Sequence, residues 1–370
     1  MTSTTPSSPD APAPPGSTGT GLTAPTELSS LTTLRVGGPA ARLTVATTAE
    51  ELVEAVSQAD AADVPVLLIG GGSNLVIGDG GFDGIVVQVA SRGIVPASVD
   101  YCGGADVRVA AGEPWDGFVE TAVTAGWIGL EALSGIPGSA GATPVQNVGA
   151  YGQEVAGSIA TVRTWDRAQR RIRTLAGAEC RFGYRDSLFK RERYRGGPRY
   201  VVLEVGFQLV VADLSEPVKY AELARTLDVA IGARVPVAEV RAAVLSLRRG
   251  KGMVLDDADH DTWSAGSFFT NPLLPPGEAE TLPAGAPRWP TDDGRVKTSA
   301  AWLIEHAGFA RGFGRPGPVS LSTKHTLALT NRGGAGAEDV LVLAREIRDG
   351  VRAAFGVELV PEPELINCAL

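Results

Sequence analysis

A glycine run offers the first binding chemistry in the sequence. Gly70, Gly71 and Gly72 are followed by Ser73 and Asn74. Glycines leave their backbone N–H groups accessible and reach positive φ, so such a loop can bend around a diphosphate and donate several hydrogen bonds to it. The serine and asparagine side chains add further donors. A tight turn without a ligand is the alternative interpretation of these residues.

A long stretch rich in glycine and proline, residues 134–155, is the second candidate. A compact domain seldom carries so long an irregular connection unless that connection binds something. Its glycines permit the close approach of a ligand, and Gln146, Asn147 and Tyr151 can form hydrogen bonds with it. A plain surface loop remains the alternative.

The basic segment FGYRDSLFK, residues 182–190, contains an arginine suited to anion binding. Arg185 follows Tyr184, and a guanidinium group stays charged and binds a carboxylate or phosphate through two parallel hydrogen bonds. The segment therefore predicts a site for an acidic group. A solvated turn of arginine and lysine is the alternative.

The segment AGSFFTNP, residues 265–272, places a serine among small and aromatic residues. Small neighbours leave Ser267 accessible to a substrate, Phe268 and Phe269 exclude water, and Asn271 before Pro272 is held extended. No G-x-S-x-G elbow or triad pattern supports a nucleophile. A serine without a base can still deliver a proton to a strongly basic carbanion. Core phenylalanines with an incidental serine are the alternative.

Two glutamates near the C-terminus, Glu362 and Glu364, alternate with Pro361 and Pro363. The prolines fix an extended backbone, so these carboxylates project from a rigid segment and can act in acid–base chemistry. A merely solubilising acidic end is the alternative.

Composition limits the classes of protein to consider. The 370 residues are 44% hydrophobic and 20% charged, as expected of a globular chain long enough for two or three domains. A net charge of -9 without a dense basic run argues against nucleic acid as a partner. No apolar run is long enough to span a bilayer, so no membrane association is expected. Residues 1–25 lack the features of a signal peptide and are predicted to form a disordered leader.

Several common motifs are missing. The three cysteines are far apart and odd in number, which argues against a disulfide framework and indicates a reducing compartment. The three histidines are scattered, so no metal is expected. Leu75 stands where G-x-G-x-x-G would need its third glycine, and the pair Gly250–Lys251 is followed by another glycine, so neither a Rossmann fingerprint nor a phosphate-binding P-loop is present.

The elements that must position these residues mix helices and strands. The strand after the glycine run follows it without a helix between them, and the middle of the chain favours an antiparallel sheet. The predicted elements are a helix begun by an N-cap threonine from Thr47; strands at 64–70, 84–89 and 106–112; a helix around 114–125; strands at 157–166 and 200–210; helices at 220–227, 237–252, 299–309 and 337–356; and an extended segment at 357–366.

Six segments along the chain resemble, in order and spacing, one family, the UDP-N-acetylenolpyruvoylglucosamine reductases. They are TTLRVGGPA at 32–40, IGGGSN, SGIPGSAGATPVQNVGAYG, YRDSLFK, GSFFTNP and PEPELI. The resemblance implies an α+β fold: an FAD-binding fold of the vanillyl-alcohol-oxidase type in two α+β subdomains, plus a third α+β substrate-binding domain. The limits it implies are subdomain 1 at 26–86, subdomain 2 at 87–213, the substrate-binding domain at 214–355 and a C-terminal extended segment at 356–370 that returns to the flavin.

The resemblance also implies a reaction. NADPH reduces FAD, and the flavin then passes hydride to C3 of the enolpyruvyl group of a nucleotide sugar, UDP-N-acetylglucosamine enolpyruvate, yielding UDP-N-acetylmuramate for peptidoglycan. Ser267 is implied to donate the C2 proton, while Arg185 and Glu362 bind and polarise the substrate carboxylate. Glu362 must be protonated or share a proton to assist an anion, which predicts a raised pKa. A cytoplasmic monomer is expected.

Further positions match the family residue by residue. The FAD-binding positions are Gly70, Gly71, Gly72, Ser73, Asn74, Leu75, Ser134, Ile136, Pro137, Gly138, Gly141, Gln146, Asn147, Gly149 and Tyr151. The segment VKYAEL resembles the family's longer subclass, in which Tyr220, Lys251 and Asn271 reach the substrate diphosphate. Two residues depart from the pattern: Thr270 stands where lysine is frequent, and His325 stands where the longer subclass often has glutamine near the uridine end.

Two rival functions stay open at this point. The same flavin fold serves oxidases that attach FAD covalently, often through His or Cys, but neither residue occurs in the two predicted flavin loops. A flavin-free protein that binds nucleotide sugars would use the glycine loops only as diphosphate clamps.

Overall fold

The computed structural model describes residues 26–100 and 102–370, so the predicted leader at 1–25 lies outside the described residues. The first part of the chain forms a four-stranded sheet of order β1-β2-β5-β3, in which β2, β5 and β3 run parallel. Its elements are β1 (Thr26–Glu27), β2 (Pro39–Ala46), α1 (Ala49–Ala61), β3 (Val66–Ile69), β4 (Leu75–Ile77) and β5 (Phe82–Val89).

Helix α1 covers this sheet because its apolar residues recur at helical spacing. Leu52, Val56 and Ala59 are buried against the sheet. Thr48 caps the helix, its hydroxyl accepting the N–H of Glu51 at 3.1 Å. The segment beginning at Thr47 was predicted to contain an N-cap threonine, and in the structure that residue is Thr48.

The middle of the chain forms a six-stranded antiparallel sheet, as the sequence predicted. Its order is β12-β11-β15-β7-β6, with β8 beside β15, and Trp115, Phe118 and Phe207 pack in the core beneath it. Its elements are β6 (Ile94–Asp100), β7 (Gly104–Ala110), α2 (Trp115–Thr124), β8 (Trp127–Ile128), β9 (Gly149–Ala150), β10 (Gln153–Glu154), β11 (Ile159–Asp166), β12 (Arg171–Ala176), α3 (Leu188–Arg191), β13 (Arg193–Tyr194), β14 (Gly197–Pro198) and β15 (Tyr200–Val211).

The last part of the chain packs helices around short hairpins, and α8 supplies its main apolar stripe. The apolar residues Leu341, Ala344, Ile347 and Val351 of this helix are buried on one stripe, Phe355 on the same stripe is partly buried, and Gly356 ends the helix at φ 70°. Its elements are α4 (Ala221–Leu227), α5 (Val237–Gly250), β16 (Leu273–Leu274), α6 (Pro276–Thr281), β17 (Trp289–Pro290), β18 (Val296–Lys297), α7 (Ala300–His306), β19 (Val319–Leu321), β20 (Leu329–Asn331), α8 (Ala337–Phe355) and β21 (Glu364–Ile366).

The chain returns at its end to the first sheet region. Strand β21 pairs in parallel with β4, with Glu364 opposite Leu75, so residues 362–366 lie beside the strand that follows the glycine run. The predicted extended segment is therefore found, and it is tied to the first part of the molecule.

The predicted helices and strands occur close to their expected positions, but several strands were not predicted, among them β2 of the first sheet and the two edge strands of the middle sheet. Strands β6 and β12 form the edges of the middle sheet and were not predicted, because their exposed residues lack a clear apolar pattern. The predicted subdomain limits stay predictions. No helix among the described residues is both long and apolar enough to cross a membrane.

Candidate functional site

A cleft of about 560 Å³ lies where the glycine run, the long irregular loop and the last part of the chain meet. Residues 70–75 and 136–151 supply one wall, here called the flavin wall, which also includes Leu68. The rest of the lining, here called the substrate wall, contains Ser267, Glu362 and other side chains from the last part of the chain. The segments singled out in the sequence thus converge on one cavity.

The glycines of the flavin wall are required by packing against other backbone. A Cβ on Gly71 would lie 2.6 Å from the Cα of Gly138, and a Cβ on Gly72, whose φ is 61°, would lie 1.8 Å from the carbonyl oxygen of Leu31. Ser73 donates its hydroxyl to the carbonyl of Pro137 at 2.9 Å. The two predicted loops therefore hold each other in place.

The same loops leave backbone donors unused. Within residues 26–100 and 102–370, no acceptor is found for several N–H groups that line the cleft, those of Gly71, Gly72, Ser73, Asn74, Ile136, Gly138 and Ser139. Buried backbone donors normally have partners. A row of such groups at the tips of two glycine-rich loops fits the diphosphate of FAD, because a concave set of N–H groups favours an anion.

Arg185 is held by the irregular loop and reaches the substrate wall. Its guanidinium donates to the carbonyls of Gly149 at 2.7 Å and Asn147 at 3.4 Å, and its Nε lies 2.9 Å from Oε1 of Glu362. The ring of Tyr184 lies 5.4 Å from the guanidinium carbon. Arg185 thus connects a loop of the middle sheet with the C-terminal segment.

Glu362 is positioned by a short pairing between two distant segments. Phe269 and Pro361 form an antiparallel bridge, and the N–H of Glu362 donates to the carbonyl of Phe268 at 2.8 Å. Asn74 donates its amide to Gln146 at 2.8 Å and to the carbonyl of Glu362 at 3.4 Å, so the glycine run also touches this segment.

Burial raises the pKa of the Glu362 carboxyl above its usual value, and the nearby charges of Arg185 and Lys190 oppose this only in part. A raised pKa was predicted for Glu362 from the sequence, and the direction of the shift agrees with that prediction. A proton is retained here more readily than on an exposed glutamate.

Ser267 lies in the cleft beside this pairing. It follows Gly266, whose φ is 73°, and precedes Phe268, whose N–H donates to the carbonyl of Leu327 at 2.7 Å. The hydroxyl of Ser267 has no hydrogen-bond partner in the described parts of the chain. Phe268 and Phe269 are buried with ring centroids 5.2 Å apart. The phenylalanines are core residues, as the plain interpretation had it, while the serine faces the cavity.

The predicted substrate ligands also line the cleft. Lys251 pairs with Glu222 at 2.5 Å, and its Nζ lies 5.4 Å from the centre of the Tyr151 ring. Tyr220 packs edge-on against Tyr151 with ring centroids 5.6 Å apart and is 46% exposed, so its phenol is accessible.

Asn271 and His325 complete the predicted substrate set. The side-chain oxygen of Asn271 accepts the N–H of Ala300 at 2.9 Å, which leaves its amide donor for a ligand. Burial, together with the charges of Lys251 and Arg311, lowers the pKa of His325 to about 4. The imidazole is therefore neutral at pH 7.

Three predicted flavin positions lie behind the cleft surface rather than on it: Ser134, Gly141 and Asn147. The Asn147 amide donates to Glu154 at 2.8 Å and to the carbonyl of Gly183 at 3.1 Å, and its oxygen accepts the N–H of Ala156 at 3.1 Å. This side chain shapes the loop that holds Arg185. Direct contact of these three residues with FAD stays a prediction.

Sequence reasoning missed several residues that line the cleft. The most informative is Arg248, whose Nε is buried without a partner among the described residues; burial lowers its pKa to about 10. It precedes Lys251 by three positions, so the two share one face of the end of α5, and this spacing was the available signal. The other missed lining residues include Ser139, Thr143, Lys190, Met253 and Trp289.

Comparisons with known proteins match two parts of the chain to family models. Residues 39–167 match the model of an FAD binding domain, and residues 257–366 match that of the UDP-N-acetylenolpyruvoylglucosamine reductase C-terminal domain. The UDP-N-acetylenolpyruvoylglucosamine reductase of Cutibacterium acnes is 56% identical over 345 residues, which cover 93% of this chain and 90% of the relative. That of Salinispora arenicola is 56% identical over 357 residues, with coverages of 94% and 96%.

A solved structure shows the same architecture. The UDP-N-acetylenolpyruvylglucosamine reductase (MurB) from Thermus caldophilus superposes with a TM-score of 0.62 at 27% identity, covering 93% of this chain and 98% of its own. The predicted α+β fold with an FAD-binding domain is confirmed. The chain belongs to the UDP-N-acetylenolpyruvoylglucosamine reductase family.

Proposed function

We propose that this chain is an FAD-dependent oxidoreductase that uses NADPH to reduce the enolpyruvyl group of UDP-N-acetylglucosamine enolpyruvate to UDP-N-acetylmuramate, a precursor of peptidoglycan. One observation carries the proposal: Arg185, Ser267 and Glu362, from three distant segments, line one cleft together with two loops of unused backbone donors. An anionic enol ether needs such a combination of a cation, a proton donor and a protonatable carboxyl.

The flavin wall holds the cofactor through its backbone. The N–H groups of Gly71 to Asn74 and of Gly138 face the cleft without internal acceptors and bind the diphosphate, while Ile136, Pro137 and Val148 supply apolar surface. FAD held by these groups would supply the redox chemistry, the transfer of hydride from NADPH to C3 of the substrate.

Arg185 and Glu362 bind the substrate carboxylate. The guanidinium is already anchored on the carbonyls of Gly149 and Asn147, so it presents a fixed positive charge. An incoming carboxylate raises the pKa of Glu362 further, since like charges at close range disfavour ionisation. Glu362 then donates a hydrogen bond, and the negative charge that develops on the carboxylate during reduction is stabilised.

Ser267 provides the proton that completes the reduction. As hydride reaches C3, the C2–C3 double bond breaks and an electron pair develops at C2. The Oγ–H bond of Ser267 breaks, the C2–H bond forms, and the serine regains its proton from solvent. A hydroxyl without an internal acceptor remains available for this transfer.

The remaining polar side chains bind the rest of the nucleotide sugar. Tyr220, Lys251 and the amide of Asn271 are placed for the diphosphate, and the Lys251–Glu222 pair has to open for that contact. His325 is neutral at pH 7 and therefore contributes a hydrogen bond instead of a charge.

We further propose a cytoplasmic monomer. One chain supplies every group that this mechanism uses, so no second copy is needed to complete the cleft. Light scattering coupled to size-exclusion chromatography checks this: a single species near 38.3 kDa is expected.

Anaerobic NADPH oxidation tests the function. Purified protein should be yellow, release its flavin on denaturation, and oxidise NADPH continuously only when UDP-N-acetylglucosamine enolpyruvate is present. Flavin that stays attached to denatured protein would favour a covalent flavin oxidase. Protein that shows no flavin absorbance even after FAD is added, yet binds the nucleotide sugar, would favour a flavin-free binding protein.

A further inference from the structure

The hairpin formed by β17 and β18 presents an indole and an ammonium group beside the cleft. Trp289 lines the cleft and is 46% exposed. It lies directly opposite Lys297 in the antiparallel register of the hairpin. Residues opposite each other in such a pair project from the same face, so the two side chains are neighbours.

Lys297 supplies a positive charge on this hairpin. Arg185 pairs with Glu362 and Lys251 with Glu222, whereas Lys297 forms no salt bridge with any described carboxylate. Its Nζ lies 5.1 Å from the centre of the Tyr184 ring. The hydroxyl of Tyr184 accepts the N–H of Asn271 at 3.3 Å, so the hairpin adjoins one of the proposed diphosphate ligands.

Trp289 is the one tryptophan of residues 26–100 and 102–370 that is exposed. Trp115 is fully buried, Trp302 stacks on His306 at 3.7 Å, and Trp263 packs against His260 at 4.2 Å. Trp289 has no aromatic neighbour among the described residues. An indole face left open beside a cleft is suited to stacking against a planar ligand, and every nucleobase offers such a face.

We propose that Trp289 is the stacking platform for the nucleobase of a nucleoside diphosphate, with Lys297 attracting the adjoining phosphates. The inference rests on the proposed function, whose two substrates, a UDP-sugar and NADPH, each combine a base with a diphosphate. Because NADPH reduces the flavin before the sugar is reduced in that scheme, we propose that one platform serves both bases in turn.

Binding of UDP and of ADP to the FAD-loaded protein tests the platform without turnover. Quenching of tryptophan fluorescence gives both dissociation constants for the parent chain, and calorimetry gives them for the variants. Replacement of Trp289 by Leu keeps apolar bulk but removes the aromatic face, and binding should weaken about tenfold. Trp289→Phe should bind within about threefold of the parent, because a smaller ring still stacks. Ile231→Ala, an exposed apolar residue that does not line the cleft, is the control and should change nothing.

Steady-state kinetics shows whether the nucleobase that stacks on Trp289 belongs to the UDP-sugar, to NADPH or to each in turn. A raised KM for the UDP-sugar, for NADPH or for both in Trp289→Leu, at unchanged kcat, supports the platform and names its occupant. Lys297→Gln should reduce the salt dependence of the same binding constants. Unchanged dissociation constants for both UDP and ADP in a folded Trp289→Leu would overturn the proposal. An inactive parent chain that still binds UDP through Trp289 would instead count against the proposed reaction alone.

Discussion

The two walls of the cleft present different chemical groups to a ligand: backbone N–H groups on the flavin wall and side chains on the substrate wall. The flavin wall offers backbone N–H groups on loops that are locked by glycine-to-backbone contacts, such as Gly71 against Gly138. The substrate wall offers side chains that are paired with one another, such as Arg185 with Glu362 and Lys251 with Glu222. One wall is fixed before any ligand arrives, and the other has to exchange partners when the ligand binds.

The difference teaches where substitutions should act. The flavin wall binds through backbone N–H groups, which a substitution cannot remove. It therefore loses cofactor binding only when the loop itself is forced to move. A side-chain wall tolerates substitution structurally but loses its chemistry. We therefore expect changes in the flavin wall to affect cofactor binding, and changes in the substrate wall to affect rate and pH dependence.

The largest effect is expected from Gly72→Ala. Its Cβ would meet the carbonyl of Leu31 at a φ of 61°, so the loop must shift and its donors move with it. FAD affinity, measured by flavin fluorescence, should fall by about a hundredfold or more, the order expected when two or three hydrogen bonds to a charged group are lost. Gly80→Ala is the control, since a Cβ there meets nothing within 4 Å. Equal FAD affinity in both variants would show that the wall is not rigid.

Ser267→Ala should slow turnover by about 10²- to 10⁴-fold, the usual range for loss of a proton donor. Stopped-flow absorbance should show that NADPH still reduces the bound flavin at the parent rate, while reoxidation by the nucleotide sugar collapses. Ser246→Ala, at an exposed position of α5, serves as the control. If both half-reactions slow equally, Ser267 is not the proton donor.

Glu362→Gln should change how stability depends on pH. Because burial raises the pKa in the folded state, protonation favours folding: the stabilisation is complete below the unfolded pKa and is lost as pH rises through the folded one. Glutamine cannot ionise, so the Tm of the variant minus that of the parent should become more positive from about pH 4 to about pH 8.

The neighbouring Glu364 offers a matched control for this measurement. Its carboxylate pairs with Arg193 at 2.8 Å and both side chains are 43% exposed. Glu364→Gln should leave the pH dependence of Tm almost unchanged. A Tm difference for Glu362→Gln that stays flat across the range would contradict the buried, proton-retaining carboxyl.

His325→Gln should give the smallest effect. The unfolded chain takes up a proton on this histidine near its ordinary pKa of 6.5, whereas the folded chain does so at about 4. Stability from the neutral imidazole is thus present above pH 6.5 and lost as pH falls toward about 4. The variant should show a shallower fall in Tm between about pH 7 and about pH 4.5. If the Tm of the variant falls as steeply with pH as that of the parent, the imidazole of His325 is exposed to solvent in the folded protein.

The contrast between the walls also explains what the sequence could predict. Glycine-rich runs predict the flavin wall from the sequence, because loops that expose several backbone N–H groups need glycines close together in the chain. The substrate wall depends on the pairing of residues 268–270 with 360–362 and on β21 beside β4, contacts between segments far apart in sequence. No local pattern encodes such a contact, so family resemblance was needed to place Ser267 and Glu362 together.

Two individual residues show the same limit of sequence reasoning. Asn147 resembled a ligand-binding side chain, yet all three of its side-chain hydrogen bonds are made with the protein itself. Arg248 was overlooked because its spacing from Lys251 indicates only a shared helix face and does not show that its Nε is buried. Burial is a property of the packed molecule and is visible only there.

The pairing of β21 with β4 has a consequence for the making of the protein. Asn74 and Glu362 touch across 288 positions, so at about 5–20 residues per second a ribosome needs roughly 15 to 60 seconds to pass from one to the other. Throughout that time β4 lacks its partner strand, and an unpaired strand edge invites association or proteolysis. A chain released before residue 362 carries the flavin loops but no carboxyl for the substrate. Completion of translation is therefore a condition for catalysis.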